Sequence, residues 1–161
     1  LIKKGHKRIG FIKGPESMTS TDERLQGYIQ SLEKNAIKFD RNLIVETDLT
    51  PRQNISAIKR LINATEGATA VVVFNDYVAF DAIKYARETG HDNISFASYG
   101  NIPMSHYLDH PPVVSIEQFP GQQAEKATEI LLQLIDAKDA PTNISTKIVL
   151  EGKLAVHAEG N

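Results

Sequence analysis

The 161-residue chain has no cysteine, no tryptophan and only two methionines. Without thiols it has no disulfide scaffold, no thiolate nucleophile and no thiolate metal site, a composition that fits a reducing compartment. Charge of one sign is also missing. The net charge of −2 offers no cationic face to a polyanion or a membrane surface. No segment approaches the ~18 consecutive apolar residues of a spanning helix, and no signal-peptide-like run opens the chain. There is no internal repeat and no low-complexity stretch.

The motifs of common enzymes are missing as well. Neither G-x-G-x-x-G nor G-x-x-x-x-G-K-[ST] occurs, so no glycine loop is set up to cradle phosphates, and there is no G-x-S-x-G elbow for a nucleophilic serine. The five histidines are scattered; His106 and His110 have an i, i+4 spacing but lie in a proline-ended segment with only Asp109 beside them. The expectation is a protein without catalysis, metal or cofactor. Four N-x-S/T sequences, at Asn54, Asn63, Asn93 and Asn143, are read as chance, because two of them fall in or at the end of an amphipathic helix.

What is present is ordinary globular composition, 41% hydrophobic and 24% charged, in a length suited to one domain. Short apolar runs alternate with helical patterns. Strands are expected at 8–14, 43–46, 69–74, 94–99 and 113–118, with a final strand or strand pair at 146–157 bent at Gly152. Between them, Ser20-x-x-Glu23 reads as a capping box for one helix, and Thr50-Pro51 as the start of the next. A third helix carries Ala79, Ala82, Ile83 and Ala86 and stops at Gly90, and a fourth follows the strand at 113–118. This alternation implies a doubly wound parallel α/β sheet with helices on both faces.

The run Val71-Val72-Val73-Phe74 ends abruptly at Asn75-Asp76. In open parallel sheets, ligands bind beyond the carboxyl ends of strands, so this polar pair is a candidate site. Asp76 is expected to N-cap the following helix. Asn75, offering both a donor and an acceptor, then suits a hydroxyl-rich ligand; a purely structural role for the pair stays equally open.

Taken together, "LIKKGHKRIGFIKG", "DERLQGY", "TAVVVFNDYVAFDAIKYARETG", "NISFASYG" and "PPVVSIEQ" resemble, in order and spacing, the LacI/GalR family of bacterial transcription regulators, over essentially the whole chain. The resemblance implies a cytoplasmic, periplasmic-binding-protein-like sensor of two α/β lobes. A small effector, carbohydrate or related, would lie in the cleft, and operator DNA would be bound as a homodimer through an N-terminal helix-turn-helix. It further implies a fragment: the C-terminal lobe at 8–101 and 146–157, with partial elements of the other lobe at 1–5 and 113–137, the latter expected to be mobile or to dock atypically. Carried over by position, Arg24, Met18, Ser20, Leu49, Asn75, Asp76 and Gly100 would line the ligand site. The alternatives are that Leu49 is plain core and that Arg24 pairs with a carboxylate on its own helix. Gly100 stands where the family usually has an aspartate that holds ligand hydroxyls, with Asn101 the nearest substitute, and Ala124 replaces a common glycine.

The resemblance places a dimer interface on the helix at 77–89 and the segment at 102–108. Val78, Asp81 and Tyr85 are expected on the outer helix face, beside Ile102 and Leu108. The alternative reading is an extracytoplasmic solute-binding protein of a transport system, which shares this fold.

Overall fold

The computed structural model describes residues 1–136 and 147–157. Five parallel strands, β1 (Ile9–Lys13), β2 (Ile44–Glu46), β3 (Ala70–Val73), β4 (Ser95–Gly100) and β5 (Val114–Glu117), form one sheet with an antiparallel edge strand, β6 (Lys153–Val156), in the order β2-β1-β3-β4-β5-β6. Three helices, α1 (Thr19–Lys34), α2 (Pro51–Ile62) and α3 (Asp76–Glu88), cross between successive strands, and α4 (Pro120–Asp136) follows β5. The doubly wound α/β architecture matches the expectation from alternation.

Both faces of the central strands are covered, which is why β3 is apolar throughout. On one face, Ile12, Val71 and Val73 pack with Ile58 and Leu61 of α2 and Val78, Ala79 and Ala82 of α3. On the other, Ile9, Phe11 and Ala70 pack with Tyr28 and Leu32 of α1. Tyr28 meets Phe11 with ring centroids 5.0 Å apart and donates its hydroxyl to the Ile9 carbonyl at 2.7 Å. Burial pushes the Tyr28 phenol up to about 12, so it stays a neutral donor. Gly14 closes β1 where a Cβ would lie 2.6 Å from the Phe74 ring.

Two expectations change, and the reading of the tail narrows. The Ser20–Glu23 capping box does not form. Helix α1 begins at Thr19, its N-cap Met18 makes no side-chain bond, and Thr21 instead donates to the Pro15 carbonyl at 2.8 Å, closing the preceding loop. The strand expected to leave for another lobe pairs in parallel with β4, because Val114, Ser115 and Ile116 continue the apolar and polar pattern of their neighbours Ala97, Ser98 and Tyr99. Among the described residues the tail contributes one strand, Lys153–Val156; Thr146, Asn143 and Ala137 lie outside the described residues. Helix α4 buries none of its residues, leaving Leu131, Leu134 and Ile135 exposed.

Candidate functional site

Parallel strands end together, so the segments after β1, β2, β3 and β4 share one edge of the sheet. Along it lie Met18 and Ser20 from the start of α1, Leu49 after β2, Asn75 after β3 and Gly100 at the end of β4. Arg24 reaches this edge from the second turn of α1. Its guanidinium lies between two rings, 4.5 Å from the Phe74 centroid and 4.2 Å from that of Tyr99, and donates to the Phe74 carbonyl at 2.6 Å. It pairs with no carboxylate on its own helix among the described residues. Burial lowers its pKa, opposed by the Tyr99 hydroxyl, while the Tyr99 phenol is raised by burial. Five donors on a plane clamped between rings, with one spent on a carbonyl, make a preorganised hydrogen-bonding group.

The Asn75-Asp76 pair divides its work the opposite way from the expectation. Asn75, in extended conformation, is the N-cap of α3: its Oδ1 accepts from the Val78 amide at 3.0 Å. Its Nδ2 makes no hydrogen bond among the described residues. Asp76 turns inward and is 1% exposed. Its Oδ1 accepts from the Ser115 hydroxyl at 2.9 Å and from the Ser98 hydroxyl, and its Oδ2 accepts from the Ile102 amide at 2.7 Å. Each serine has a single proton and both are used on Asp76, so the 3.1 Å approach of the two hydroxyls is a contact rather than a further bond. Asp76 is therefore not the helix cap, and its carboxylate is taken up by donors inside the fold. A cap needs only a short side chain bent back over its own helix, and residue 75 sits one position earlier, where the backbone is still extended.

Gly100 has a φ of 126°, and a Cβ there would lie 3.1 Å from Asp76 Oδ2. A second carboxylate at this position would crowd the first, which accounts for glycine beside an inward-turned Asp76. Asn101 also adopts a left-handed φ of 51°. Its Nδ2 donates to Glu117 Oε2 at 3.0 Å, and Glu117 Oε1 accepts the Phe119 amide at 2.8 Å. Those bonds, the one from Asn101 first, lower the Glu117 pKa. Glu117 is the register partner of Gly100 on the neighbouring strand, so an ionised carboxylate stands one strand away from the position where the resemblance expects one. The only sequence signal for it was its place at the end of β5.

Leu49 is half-buried against the core and adopts a left-handed φ of 70°. Its amide donates to Thr47 Oγ1 at 3.1 Å, Thr47 donates to Asn54 Oδ1 at 2.5 Å, and Asn54 Nδ2 donates to Asp81 Oδ2 at 2.8 Å. The buried Asn54 is thus a structural amide linking α2 to α3.

The outer face expected for α3 is also corrected. Val78 is 0% exposed, Asp81 accepts the Asn54 bond, and Tyr85 packs against the core, because α3 is wedged against α2 as well as the sheet. Ile102 and Leu108 are half-buried. The side chains that do protrude here are Tyr77, 67% exposed, with Met104 and Tyr107, 57% and 83% exposed, on the 3₁₀ turn Pro103–Tyr107. Beneath that turn, His157 lies with its ring 6.0 Å from that of His106. Burial lowers the His157 pKa, as does the His106 charge, against an opposing pull from Asp76.

The carboxyl edge of this open parallel sheet thus carries a clamped guanidinium and an asparagine amide side by side along the strand ends. Residues 1–154 match the periplasmic binding protein-like domain. The chain is 34% identical over 139 residues to the HTH-type transcriptional repressor CytR of Escherichia coli (strain K12), covering 84% of this chain and 40% of the repressor. It is 28% identical over 163 residues to the HTH-type transcriptional regulator CelR of Thermobifida fusca, covering 99% of this chain and 47% of the regulator. The solved transcriptional regulator CelR–cellobiose complex superposes with a TM-score of 0.87 at 26% identity, over 97% of this chain and 47% of that one. The chain belongs to the LacI/GalR family of transcriptional regulators, within the periplasmic-binding-protein-like fold. It spans about half or less of the length of the curated relatives it matches. Those relatives are transcriptional regulators rather than enzymes, and no helix among the described residues is long and apolar enough to cross a membrane.

Proposed function

We propose that this chain is the effector-sensing and dimerising part of a cytoplasmic transcriptional repressor, binding a small carbohydrate-like ligand at the carboxyl edge of its sheet. Operator DNA would be bound through a helix-turn-helix elsewhere in the protein. The observation that carries this reading is the Arg24 guanidinium, held between Phe74 and Tyr99 at the same strand ends as the Asn75 amide. Directional donors fixed before a ligand arrives are what hydroxyl recognition needs. Met18, Ser20, Leu49 and Gly100 shape the walls of this site, and the Asn101-anchored Glu117 adds an acceptor. The relative seen with cellobiose supports a sugar-like ligand. The relatives named as HTH-type regulators weigh against a transport protein.

Dimerisation is assigned to Tyr77, Met104 and Tyr107, with Ile102 and Leu108 supporting them from below. Exposed aromatics clustered on one surface mark an interface more often than isolated apolar residues do.

Calorimetry with cellobiose and a panel of mono- and disaccharides tests the reading. Binding that is lost in Arg24→Ala is the expected result. Absence of heat across the panel, or binding indifferent to Arg24→Ala and Asn75→Asp alike, overturns it.

A further inference from the structure

We propose that Asp76 is a positioning residue that couples the ligand-facing edge to the exposed aromatic surface at the 3₁₀ turn, a role that rests on the sensor reading above. Its place in the chain is the first observation. Asn75, with its unspent amide, precedes it, and Tyr77, on the surface, follows it. All three lie at the start of α3, whose first turn is locked by the Asn75 cap on the Val78 amide at 3.0 Å.

The second observation is how the carboxylate divides its acceptors. Oδ1 faces the sheet and takes the Ser98 and Ser115 hydroxyls, while Oδ2 faces the connection after β4 and takes the Ile102 amide at 2.7 Å. Ile102 is the N-cap of the 3₁₀ turn, and its carbonyl accepts the Ser105 amide at 3.0 Å, so the turn that displays Met104 and Tyr107 hangs from this bond. Gly100 leaves nothing between the two elements, since even a Cβ would approach Oδ2 to 3.1 Å.

The third is energetic. A buried carboxylate that leaves its donors loses charge-assisted hydrogen bonds in a dry site, so the linkage is stiff. A ligand that draws Asn75 outward rotates the first turn of α3, and Asp76 then carries Ile102 with it. Tyr77 lies on one side of this linkage and Met104 and Tyr107 on the other, so the same rotation changes their relative placement. The aromatic surface is therefore shaped by whatever occupies the sheet edge.

Amide hydrogen exchange by NMR on the whole chain tests this. In Asp76→Asn, the Ile102 amide loses its charged acceptor, and exchange at Ile102 and Ser105 is expected to accelerate at least about tenfold. In Ser98→Ala the Oδ2 bond survives, and those two amides are expected to stay within about twofold. Coupling is read from Asn75→Ala, which is expected to shift Tyr107 resonances in the natural background but not beside Asp76→Asn. A purely structural Asp76 would let Asn75→Ala reach Tyr107 equally in both backgrounds, and that result overturns the proposal, as does unchanged exchange at Ile102. Should Asp76→Asn not fold, the through-hydrogen-bond coupling between the Ile102 nitrogen and the Asp76 carboxyl carbon decides. It is expected in the unsubstituted chain and weakened by Asn75→Ala, and its absence or indifference overturns the proposal. Carbohydrate binding that depends on Arg24, together with unlinked exchange, removes the role of Asp76 alone. Linked exchange without binding of any tested sugar removes the sensor reading and leaves the mechanical coupling standing.

Discussion

The Arg24 guanidinium lies 4.2 Å from the Tyr99 ring centroid, bridging α1 to the end of β4 across the sheet edge. A cation over an aromatic face contributes about 0.5–1 kcal/mol where partly exposed, and Arg24 has two such faces. Arg24→Ala is therefore expected to lower stability by about 1–2 kcal/mol in urea unfolding, besides its effect on ligand. Arg24→Lys keeps the charge but not the plane, and is expected to recover less than half of the loss.

Asn75→Asp and Asn75→Ala separate capping from recognition. An aspartate accepts the Val78 amide as well as asparagine does, so stability is expected to hold, while the Nδ2 donor disappears and sugar affinity falls. Alanine is expected to lose both, at about 0.5–2 kcal/mol in stability. Equal affinity for Asn75→Asp and the natural chain in calorimetry would remove Asn75 from the site.

Surface and core at α3 respond differently to charge. Tyr107→Asp is expected to shift the sedimenting species toward monomer with its denaturant midpoint nearly unchanged. Val78→Asp, at a fully buried position, places an uncompensated carboxylate in the core and is expected to unfold the chain at neutral pH. A monomer that results only from Val78→Asp, with Tyr107→Asp still dimeric, would move the interface elsewhere.

The half-buried His157 makes stability depend on pH. Its folded pKa lies below the ordinary 6.5 because burial, then the His106 charge, disfavour the imidazolium. The unfolded state thus binds more protons in this range. The stabilisation is present above pH 6.5 and is lost as pH falls from 6.5 through the folded pKa. Glu117 has the same sign for a different reason: the Asn101 and Phe119 donors lower its carboxyl, so its contribution is lost as pH falls below the ordinary 4.5. Midpoints recorded from pH 7.5 to 5.5 are expected to fall in the natural chain and to fall less steeply in His157→Phe, with His6, whose pKa burial also lowers, keeping part of the slope. A slope unchanged by that substitution would place the titration on another group.

Much of this protein was legible in its residues. Alternation of short apolar runs with helical stripes determined a parallel α/β sheet, because only strands covered on both faces can be as apolar as Val71 to Phe74. Thr50-Pro51 determined a helix start because capping is local chemistry: the Thr50 hydroxyl accepts the Gln53 amide three residues away. The polar pair at residues 75 and 76 marked the carboxyl end of β3 and the start of α3, since an apolar run stops where a buried strand ends.

What each member of that pair does was decided only in three dimensions. Whether Asn75 or Asp76 caps α3 depends on where the extended backbone becomes helical, and the inward turn of Asp76 depends on Ser98, Ser115 and Ile102, which lie 22, 39 and 26 residues away. No periodicity in a single segment reports such partners. The burial of Val78 had the same cause: a helical stripe shows one apolar face, but α3 rests against α2 and the sheet together, and the second contact is invisible until both elements are placed. Sequence determined the elements and the edge, because hydrogen-bond periodicity and capping act within a few residues. Tertiary structure decided the roles of side chains along that edge, because a buried polar atom is satisfied by whichever donor the packing brings to it.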